Sequence, residues 1–193
     1  MMNIEKVYSD YLDLEGKKNR KKYTKYKGWF SASAAGSCYR KQLYRKNGVE
    51  ETPFDDRVKR LLRLGTIVHT DIEKAIKRFV SHTDITYKVY TEHRVELPEV
   101  NVVGHLDIAT QIDDKLHVYD VKTCASYKWR KKFGRNPEHG GGDNYKLQIG
   151  TYAMGLGNEL EIQDVDMSLL WYNKDTSAMR EETVSANWIE KSF

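Results

Sequence analysis

The sequence predicts an α/β fold with a central mixed β-sheet that is flanked by α-helices and preceded by an N-terminal helical extension. Three observations support this fold class. Residues 52–80 have the apolar period of a long amphipathic helix, residues 85–123 alternate between apolar and polar positions as strands do, and residues 144–172 continue with a helix and a buried strand. This order fits a mixed sheet with helices on both faces better than a barrel or a helical bundle.

The length and composition suit one domain with an appendage. The chain has 193 residues, of which 39% are hydrophobic, so it can bury a core. We expect a basic N-terminal extension over residues 1–28 and a single domain over residues 29–193. Cys38 and Cys124 form no CxxC pair, which disfavours a disulfide scaffold and a cysteine zinc site. With no secretory signal and no apolar run of membrane-spanning length, we expect a cytoplasmic protein without a membrane partner.

The N-terminal part of the chain is predicted to be helical. Residues 3–12 can form a short amphipathic helix with its apolar side chains near one face. A second helix is expected to be capped by Ser31 or Ser33 and to stop near residues 47–48, an Asn-Gly pair.

The next helix has a strong start signal. Thr52 is a candidate cap, Pro53 suits the first helical position, and acidic residues follow in the first turn. The apolar period that follows predicts a helix to about residue 80.

Strands dominate the middle of the chain. Residues 85–97, 101–112 and 115–123 alternate and are joined by short turns, which predicts an antiparallel meander.

The remaining segments complete the predicted fold. Residues 125–143 are basic and then Gly-rich, and we expect a mobile loop there. Residues 144–157 are predicted to be a helix, residues 165–172 a buried strand, and residues 177–186 an edge strand. The last residues, through Trp188, can form a helical turn.

Three charged residues stand where a strand core favours Val or Ile. Counted outward from the turn after residue 112, Asp107 and Asp120 lie near-opposite each other on adjacent strands, and Lys122 shares a face with Asp120. Two carboxylates can bind a cation such as Mg²⁺, and a nearby lysine can orient water or offset charge on a phosphate. The pattern alone favours a sheet with one polar face and a chance ion pair over a functional site.

Two helical pairs add to this set. His69 and Glu73 are four residues apart and share a face with Leu62, so we expect this face to point inward. His69 is then either a satisfied core histidine or a further metal ligand. Gln148 and Tyr152 are also four apart, and an amide and a phenol on one helical face suit nucleic-acid contact.

Positive charge is concentrated in two runs. Residues 17–27 contain seven basic residues and no acid, and residues 128–135 contain five basic residues and no acid. Basic residues interleaved with aromatic ones are typical of single-stranded nucleic-acid binding. Two solvated basic segments would have the same composition.

These motifs together resemble a known family. "GTIVHTDIE", "VGHLDIA", "VYDVKTC" and "QIGTYA" follow in the order and approximate spacing of the PD-(D/E)xK nuclease superfamily. The resemblance is nearest to the RecB-type exonuclease branch, which includes the CRISPR adaptation nucleases and the lambda-type phage exonucleases. That branch is marked by a helical His, a GxxD strand, a (D/E)xK strand and a QxxxY helix. The match spans roughly residues 31–173 and implies a restriction-endonuclease-like sheet.

The resemblance implies a deoxyribonuclease that uses Mg²⁺ or Mn²⁺ and acts most simply as an exonuclease. The metal ligands would be His69, Asp107, Asp120 and the carbonyl of Val121. Glu73 is assigned more weakly, as a residue that would assist a second metal. Lys122 would position the attacking water, and Gln148 and Tyr152 would steady Lys122 or the DNA backbone.

The resemblance also suggests where DNA would bind. The segment "SASAAGSCYRKQLY" is similar to the amino-terminal segment of this branch, so Ser33, Arg40 and Lys41 are candidate phosphate contacts. The predicted loop would overhang the metal and hold a separated strand through its basic and aromatic residues, namely Lys128, Trp129, Arg130, Lys131 and Lys132, with Tyr127 and Phe133 beside them. A disordered surface excursion is the alternative for this loop.

The iron–sulfur members of the branch use one cysteine near the amino terminus and three near the carboxy terminus. Cys38 matches the first, but no cysteine follows Cys124, so we expect no cluster and a small packed side chain at Cys38. The partner would be DNA, single-stranded or with free ends, together with a recombinase, a single-strand-binding protein or a helicase, in a bacterial or phage-infected cytoplasm. An oligomer is compatible with the sequence. A structure-specific endonuclease and an inactive nucleic-acid-binding module remain the rival functions.

Overall fold

A computed structural model describes residues 2–23, 28–49, 52–83, 86–137 and 142–192, with side chains omitted for residues 19–23. Two sequence predictions therefore fall partly outside the described residues. They concern the second half of the basic run at residues 17–27 and residues 138–141 of the predicted loop.

The described residues form six α-helices and six β-strands. The helices are α1 (Ile4–Tyr23), α2 (Tyr39–Lys46), α3 (Asp56–Val80), α4 (Ser126–Phe133), α5 (Asp143–Leu160) and α6 (Asn187–Lys191). The strands are β1 (Phe30–Ser31), β2 (Lys88–Leu97), β3 (Val102–Ile112), β4 (Lys115–Cys124), β5 (Asp164–Asn173) and β6 (Met179–Val184).

All six strands belong to one mixed sheet. The segment β2–β3–β4 is the predicted antiparallel meander, β5 runs parallel to β4, and β6 pairs antiparallel with β5 at the edge. β1 runs parallel to β3 and pairs with residues 102–103. Because β2 already pairs with those residues, and a strand has only two edges, β1 must share the β3 edge that β4 uses further along.

Helices cover both faces of the sheet. On one face α5 buries Ile149 and Leu156 completely against residues of β3, β4 and β5. α3 covers the other face, where a Cβ at Gly65 would lie 3.4 Å from the Thr123 hydroxyl. Thr123 alternates with Lys122, and Lys122 reaches α5, so α3 and α5 lie on opposite sides of β4. The predicted fold class is confirmed.

The predicted bounds are correct to within a few residues for α5 and for strands β2 to β5, and wrong at two helix starts and one helix end. α1 was expected to end near residue 12 and extends to Tyr23. A single helix was expected from Ser31 or Ser33, but residues 32–34 form a 3₁₀ turn and α2 begins only at Tyr39. α3 begins at Asp56 rather than after Thr52, because the Asp55 side chain accepts a hydrogen bond of 2.8 Å from the Val58 amide and caps the helix there.

The largest error concerns residues 126–133, which form helix α4 and not a mobile loop. Trp129 and Phe133 are one helical turn apart, with ring centroids separated by 4.9 Å, and the Phe133 ring lies 5.9 Å from that of Trp171. The Ser126 amide donates a 2.7 Å hydrogen bond to Asp175, which follows β5. Packing on the sheet therefore stabilises a helix that composition alone did not indicate.

The apolar face of α3 is only partly covered. Leu62 was expected to point inward and is 55% exposed. α1 packs beside α3 and is tied to it by a 2.7 Å ion pair between Lys59 and Asp13. None of the helices in the described ranges is long and apolar enough to cross a membrane.

A close approach between α5 and α6 makes a testable prediction. A Cβ at Gly150 would overlap the carbonyl oxygen of Trp188, a backbone atom that cannot move alone. We expect Gly150→Ala to lower the free energy of unfolding by about 1–3 kcal/mol, as other overpacked sites do. Urea denaturation measures this change.

Gly16→Ala in α1 is the matched control, because a Cβ at Gly16 meets no atom within 4 Å. It should leave stability unchanged or raise it by about 0.5–1 kcal/mol. Equal effects of the two substitutions would show that α6 does not press on α5.

Candidate active site

The site is built where β3 and β4 separate. Their pairing ends at Ile108 and Tyr119, and the next two residues in register, Asp107 and Asp120, are no longer paired. Both carboxylates thus lie at the mouth of a fork, as their spacing from the turn predicts. β1 pairs with β3 beyond the fork and closes its far side.

Asp107 links three elements across this fork. One carboxylate oxygen, Oδ2, accepts a 2.7 Å hydrogen bond from the Val121 amide on β4 and lies 3.4 Å from His69 Nδ1 on α3. Burial by itself lowers the pKa of the His69 imidazole. The hydrogen bond to Asp107 and the attraction of the Asp107 and Asp120 carboxylates outweigh burial, so the pKa of His69 is raised.

Asp120 is buried, with 1% of its surface exposed, and it is held in a network with α5. Lys122 Nζ lies 2.6 Å from Asp120 Oδ2 and donates a 2.9 Å hydrogen bond to Gln148 Oε1. Gln148 Nε2 donates to Asp120 Oδ1 and to the Tyr152 hydroxyl, both at 3.1 Å. Apart from this ion pair with Lys122, Asp120 Oδ2 has no hydrogen-bond donor among the described residues.

Burial controls the protonation of this network. It raises the pKa of Asp120 from its ordinary 3.8 to about 6, against the opposing attraction of Lys122. Burial also raises the pKa of the Tyr152 phenol far above its ordinary value, and the Asp120 charge adds to that shift. The pKa of Glu73 is raised by burial and by its neighbours Glu92 and Asp107.

The donor set fits a hard divalent cation in kind. It offers two carboxylates and an imidazole, and the buried Oδ2 of Asp120 has the Lys122 ammonium as its one partner among the described residues. As the described side chains stand, no three His, Cys, Asp or Glu residues are grouped closely enough to hold a metal. Lys122 and the Val121 amide take up carboxylate oxygens that a cation would use.

A cavity of about 560 Å³ opens beside the fork. Asp107, Gln148 and Tyr152 are part of its lining. The rest of its lining comes from the segment around β1, from α2 and from strands β2 and β3, namely Trp29, Phe30, Ser31, Ser33, Ala34, Gln42, Arg45, Glu92, Val103, Gly104 and His105. The candidate site therefore joins two carboxylates and a lysine to a chamber with aromatic and basic walls.

The same fold occurs in solved structures. The crystal structure of SSO0001 aligns with a TM-score of 0.54 and 13% identity over 95% of this chain and 82% of that one. A protein from Eubacterium rectale that carries the provisional name of an exonuclease aligns with a TM-score of 0.55 and 15% identity, over 89% of this chain and 79% of that one. The chain shares their fold. No protein-family model matches the sequence, and no curated protein matches it.

The predicted phosphate contacts on the N-terminal side separate into two groups. Ser33 lines the cavity and shares a 2.8 Å hydrogen bond with Ser31. Arg40 and Lys41 are exposed on α2 outside the cavity, and Arg40 donates a hydrogen bond of 2.8 Å to Tyr44. Arg45, one turn further along α2, is the basic residue that lines the cavity.

Cys38 also differs from its prediction. It was expected to be a small packed residue, but it is exposed and precedes the first residue of α2. The glycine at position 36 has a positive φ of 67° and turns the chain here, so residues 35–38 do not continue a helix.

The basic and aromatic residues of α4 are more constrained than a loop would allow. Trp129 packs against the core and does not present a free ring, which corrects the expectation that it stacks on a strand. Lys132 forms a 2.9 Å ion pair with Glu182 on β6. Lys128 donates a 2.8 Å hydrogen bond to Tyr145, whereas Arg130 is exposed. Lys131 lies 4.9 Å from the centre of the Tyr127 ring.

Several residues at the site were missed from the sequence. Trp29 and Phe30 line the cavity, although no sequence motif marked them as site residues. Glu92 has a positive φ of 48° and stands opposite Asp107, at the one position where the pairing of β2 with β3 is interrupted. Nothing in the alternating pattern of β2 marked that position. Tyr145 precedes Gln148 by one helical turn, a spacing that could have identified it.

The raised pKa of Asp120 predicts a pH dependence. A carboxyl group with a higher pKa in the folded state stabilises the fold below its unfolded pKa and loses that contribution as the pH rises through the folded pKa. The unfolded pKa is near 3.8 and the folded pKa about 6, so the window lies between them. As the pH rises through this window, the free energy of unfolding of Asp120→Asn should increase relative to that of the wild type by up to about 3 kcal/mol. The reason is that each pKa unit corresponds to about 1.4 kcal/mol.

Urea unfolding in a chelator, from about pH 4 to about pH 7.5, measures the difference between the two proteins. Added Mn²⁺ at the higher pH should then stabilise the wild type but not Asp120→Asn. Parallel stability curves would contradict the raised pKa, and equal stabilisation of both proteins would place the cation elsewhere.

Proposed function

We propose that this protein is a divalent-metal-dependent deoxyribonuclease that hydrolyses phosphodiester bonds. The proposal is carried by one observation, the convergence of Asp107, Asp120 and Lys122 at the fork of β3 and β4. A sheet with a merely polar face has no reason to bury a carboxylate to 1% exposure against a lysine and an amide. The order of the four motifs and the shared fold support the same conclusion.

Each side chain has a separable task in this proposal. Mg²⁺ or Mn²⁺ would be held by Asp107, Asp120 and His69, with the Val121 carbonyl beside them. Glu73 on α3 would help to bind a second metal ion. The ion, when bound, lowers the pKa of a water and neutralises charge on the phosphate. The Lys122 ammonium donates to the attacking water and offsets the charge that develops on the phosphoryl oxygens. Gln148 and Tyr152 keep Lys122 in place through the Gln148 amide, whose two ends bind Lys122 and Tyr152.

The cavity is our ground for proposing cleavage at ends. Its lining includes Asp107 as well as Trp29, Phe30 and Ser33 near β1. In this proposal the cavity would receive a terminal nucleotide, whereas a strand that continues past the site would need an open channel. Aromatic walls can stack on a base and Arg45 can contact a phosphate. We therefore propose an exonuclease, and a structure-specific endonuclease on the same fold is the rival.

The surface beside the site suits a DNA strand. α4 carries Lys128, Arg130, Lys131 and Lys132, and its Lys128 reaches Tyr145 near the fork. α2, which contacts β1, carries Arg40 and Lys41. In our proposal these basic side chains would contact the phosphates of a bound strand. We propose DNA with free or single-stranded ends as the substrate, handled in the cytoplasm with a recombinase, a single-strand-binding protein or a helicase.

Removal of the lysine tests the chemical role. Lys122→Met should lower the rate of DNA cleavage by about 100-fold or more, as loss of a single transition-state donor does. Lys115→Met is the matched control, since Lys115 lies at the other end of the same strand and pairs with Asp166 at 2.9 Å. The measurement is the release of label from linear DNA with Mn²⁺ or Mg²⁺, and a chelator should abolish it.

Full activity of Lys122→Met would reject the proposed mechanism. DNA binding without any cleavage by the wild type would leave the inactive binding module as the function.

The topology of the substrate tests the mode of cleavage. Linear DNA should be shortened progressively from an end while covalently closed circles, both single- and double-stranded, stay intact, because a circle offers no terminal nucleotide to the cavity. End-labelled linear DNA, separated on a sequencing gel beside the circles, measures this outcome. Nicked or linearised circles would establish the endonuclease instead.

A further inference from the structure

A third group contacts Lys122 besides Asp120 and Gln148. The Lys122 ammonium lies 4.8 Å from the centre of the Tyr145 ring. Tyr145 is on α5, one turn before Gln148, so the ring and the Gln148 amide reach the lysine from the same helix face. An ammonium within about 6 Å of a ring centre is attracted by the negative face of the ring.

The position of this ring is fixed from two other sides. Its hydroxyl accepts a 2.8 Å hydrogen bond from Lys128 on α4, and Lys128 Nζ also lies 4.5 Å from the ring centre. The ring packs edge-on against Trp171 at 5.7 Å, and Trp171 is 1% exposed. Tyr145 therefore sits between the lysine at the fork and the first turn of α4, and it has little freedom to rotate.

The contact between Lys122 and the Tyr145 ring matters because Lys122 and a metal ion would compete for the Asp120 carboxylate. In the proposed enzyme Asp120 holds the cation, and a carboxylate oxygen that binds a cation no longer binds Lys122 as strongly. Gln148 supplies one hydrogen bond from one direction. The ring face of Tyr145 supplies a second, non-directional attraction that keeps the ammonium near the fork whichever oxygen Asp120 offers.

We propose that Tyr145 is a positioning residue for Lys122, and that its ring face, held in place by Lys128 and Trp171, keeps the ammonium in reach of the reacting phosphate. This inference rests on the proposed nuclease function. It assigns a role to a residue outside the four sequence motifs.

Kinetics of ring-face variants test the proposal. Tyr145→Leu should lower kcat about tenfold and leave KM within about threefold, because the ring acts on the lysine and not on substrate binding. Tyr145→Phe retains the ring face, so its kcat should stay within about threefold of the wild-type value. Tyr90→Leu controls for a general loss of packing, since Tyr90 is half-buried against the same core and its hydroxyl bonds to Gln111.

Three kinetic outcomes would overturn the proposal. These are full activity in Tyr145→Leu, an equal loss of kcat in Tyr145→Phe and Tyr145→Leu, and an equal loss of kcat in Tyr90→Leu. In each case the ring face of Tyr145 would have no specific effect on the lysine.

A spectroscopic test does not depend on nuclease activity. Protons that lie over an aromatic ring resonate upfield, so the ε-methylene signal of Lys122 in lysine-labelled protein should be shifted upfield relative to exposed lysines. The signal is assigned by its loss in Lys122→Met. The shift should persist in Tyr145→Phe and vanish in Tyr145→Leu.

An unshifted Lys122 signal in the wild type would overturn the proposal even if the protein proves to be a nuclease. A shifted signal in a protein without nuclease activity would confirm the contact, reject the proposed function, and reject a catalytic purpose for Tyr145 with it.

Discussion

The burial of the Asp120 carboxylate is the constraint on which the rest of the structure depends. A charge that is 1% exposed needs partners, and the chain supplies them from two elements. Lys122 comes from the same strand and Gln148 from α5. Burial raises the pKa of Asp120, the Lys122 ammonium lowers it, and the like charge of Asp107 across the fork raises it further. The charge of this carboxylate is thus only partly balanced, and in the proposed enzyme a cation would complete the balance.

The sheet is shaped to make this burial feasible. An uninterrupted β3–β4 ladder would force Asp107 and Asp120 into neighbouring pleats with their backbones paired, and the Val121 amide would bind a backbone carbonyl rather than Asp107. The fork releases that amide and leaves room for the cavity. Past the opening, β1 pairs with the edge of β3 that β4 has left. The separation of β3 and β4 is therefore limited to a short stretch of the sheet. Gly104 lies in this stretch of β3, and a Cβ there would come within 2.7 Å of Tyr152 and of Ala32.

The lysines near the site contact aromatic rings as well as carboxylates. Lys122 and Lys128 lie near the Tyr145 ring, and Lys132 lies 5.0 Å from the centre of the Trp171 ring while it pairs with Glu182. Rings attract ammonium groups without neutralising them, so in the proposed nuclease Lys122 and Lys128 would keep positive charge for a phosphate. This arrangement explains why α4 is a packed helix although its composition resembles a loop. Its aromatic residues point to the sheet, and its basic residues divide between the site and the solvent.

The sequence by itself predicted the α/β class, the meander of β2, β3 and β4, and the near-opposite placement of Asp107 and Asp120. Local rules are sufficient for these features, because strand alternation and turn position fix which side chains share a face. The choice of His69, Gln148 and Tyr152 as site residues came from the family resemblance, and their roles stay predictions. The tertiary structure alone decided that residues 126–133 are helical, that Arg45 and not Arg40 faces the cavity, and that Glu92 and Tyr145 belong to the site. These depend on contacts between segments far apart in the chain, such as Phe133 with Trp171 and β1 with β3. No local period encodes such contacts, since they form only when the sheet has been assembled.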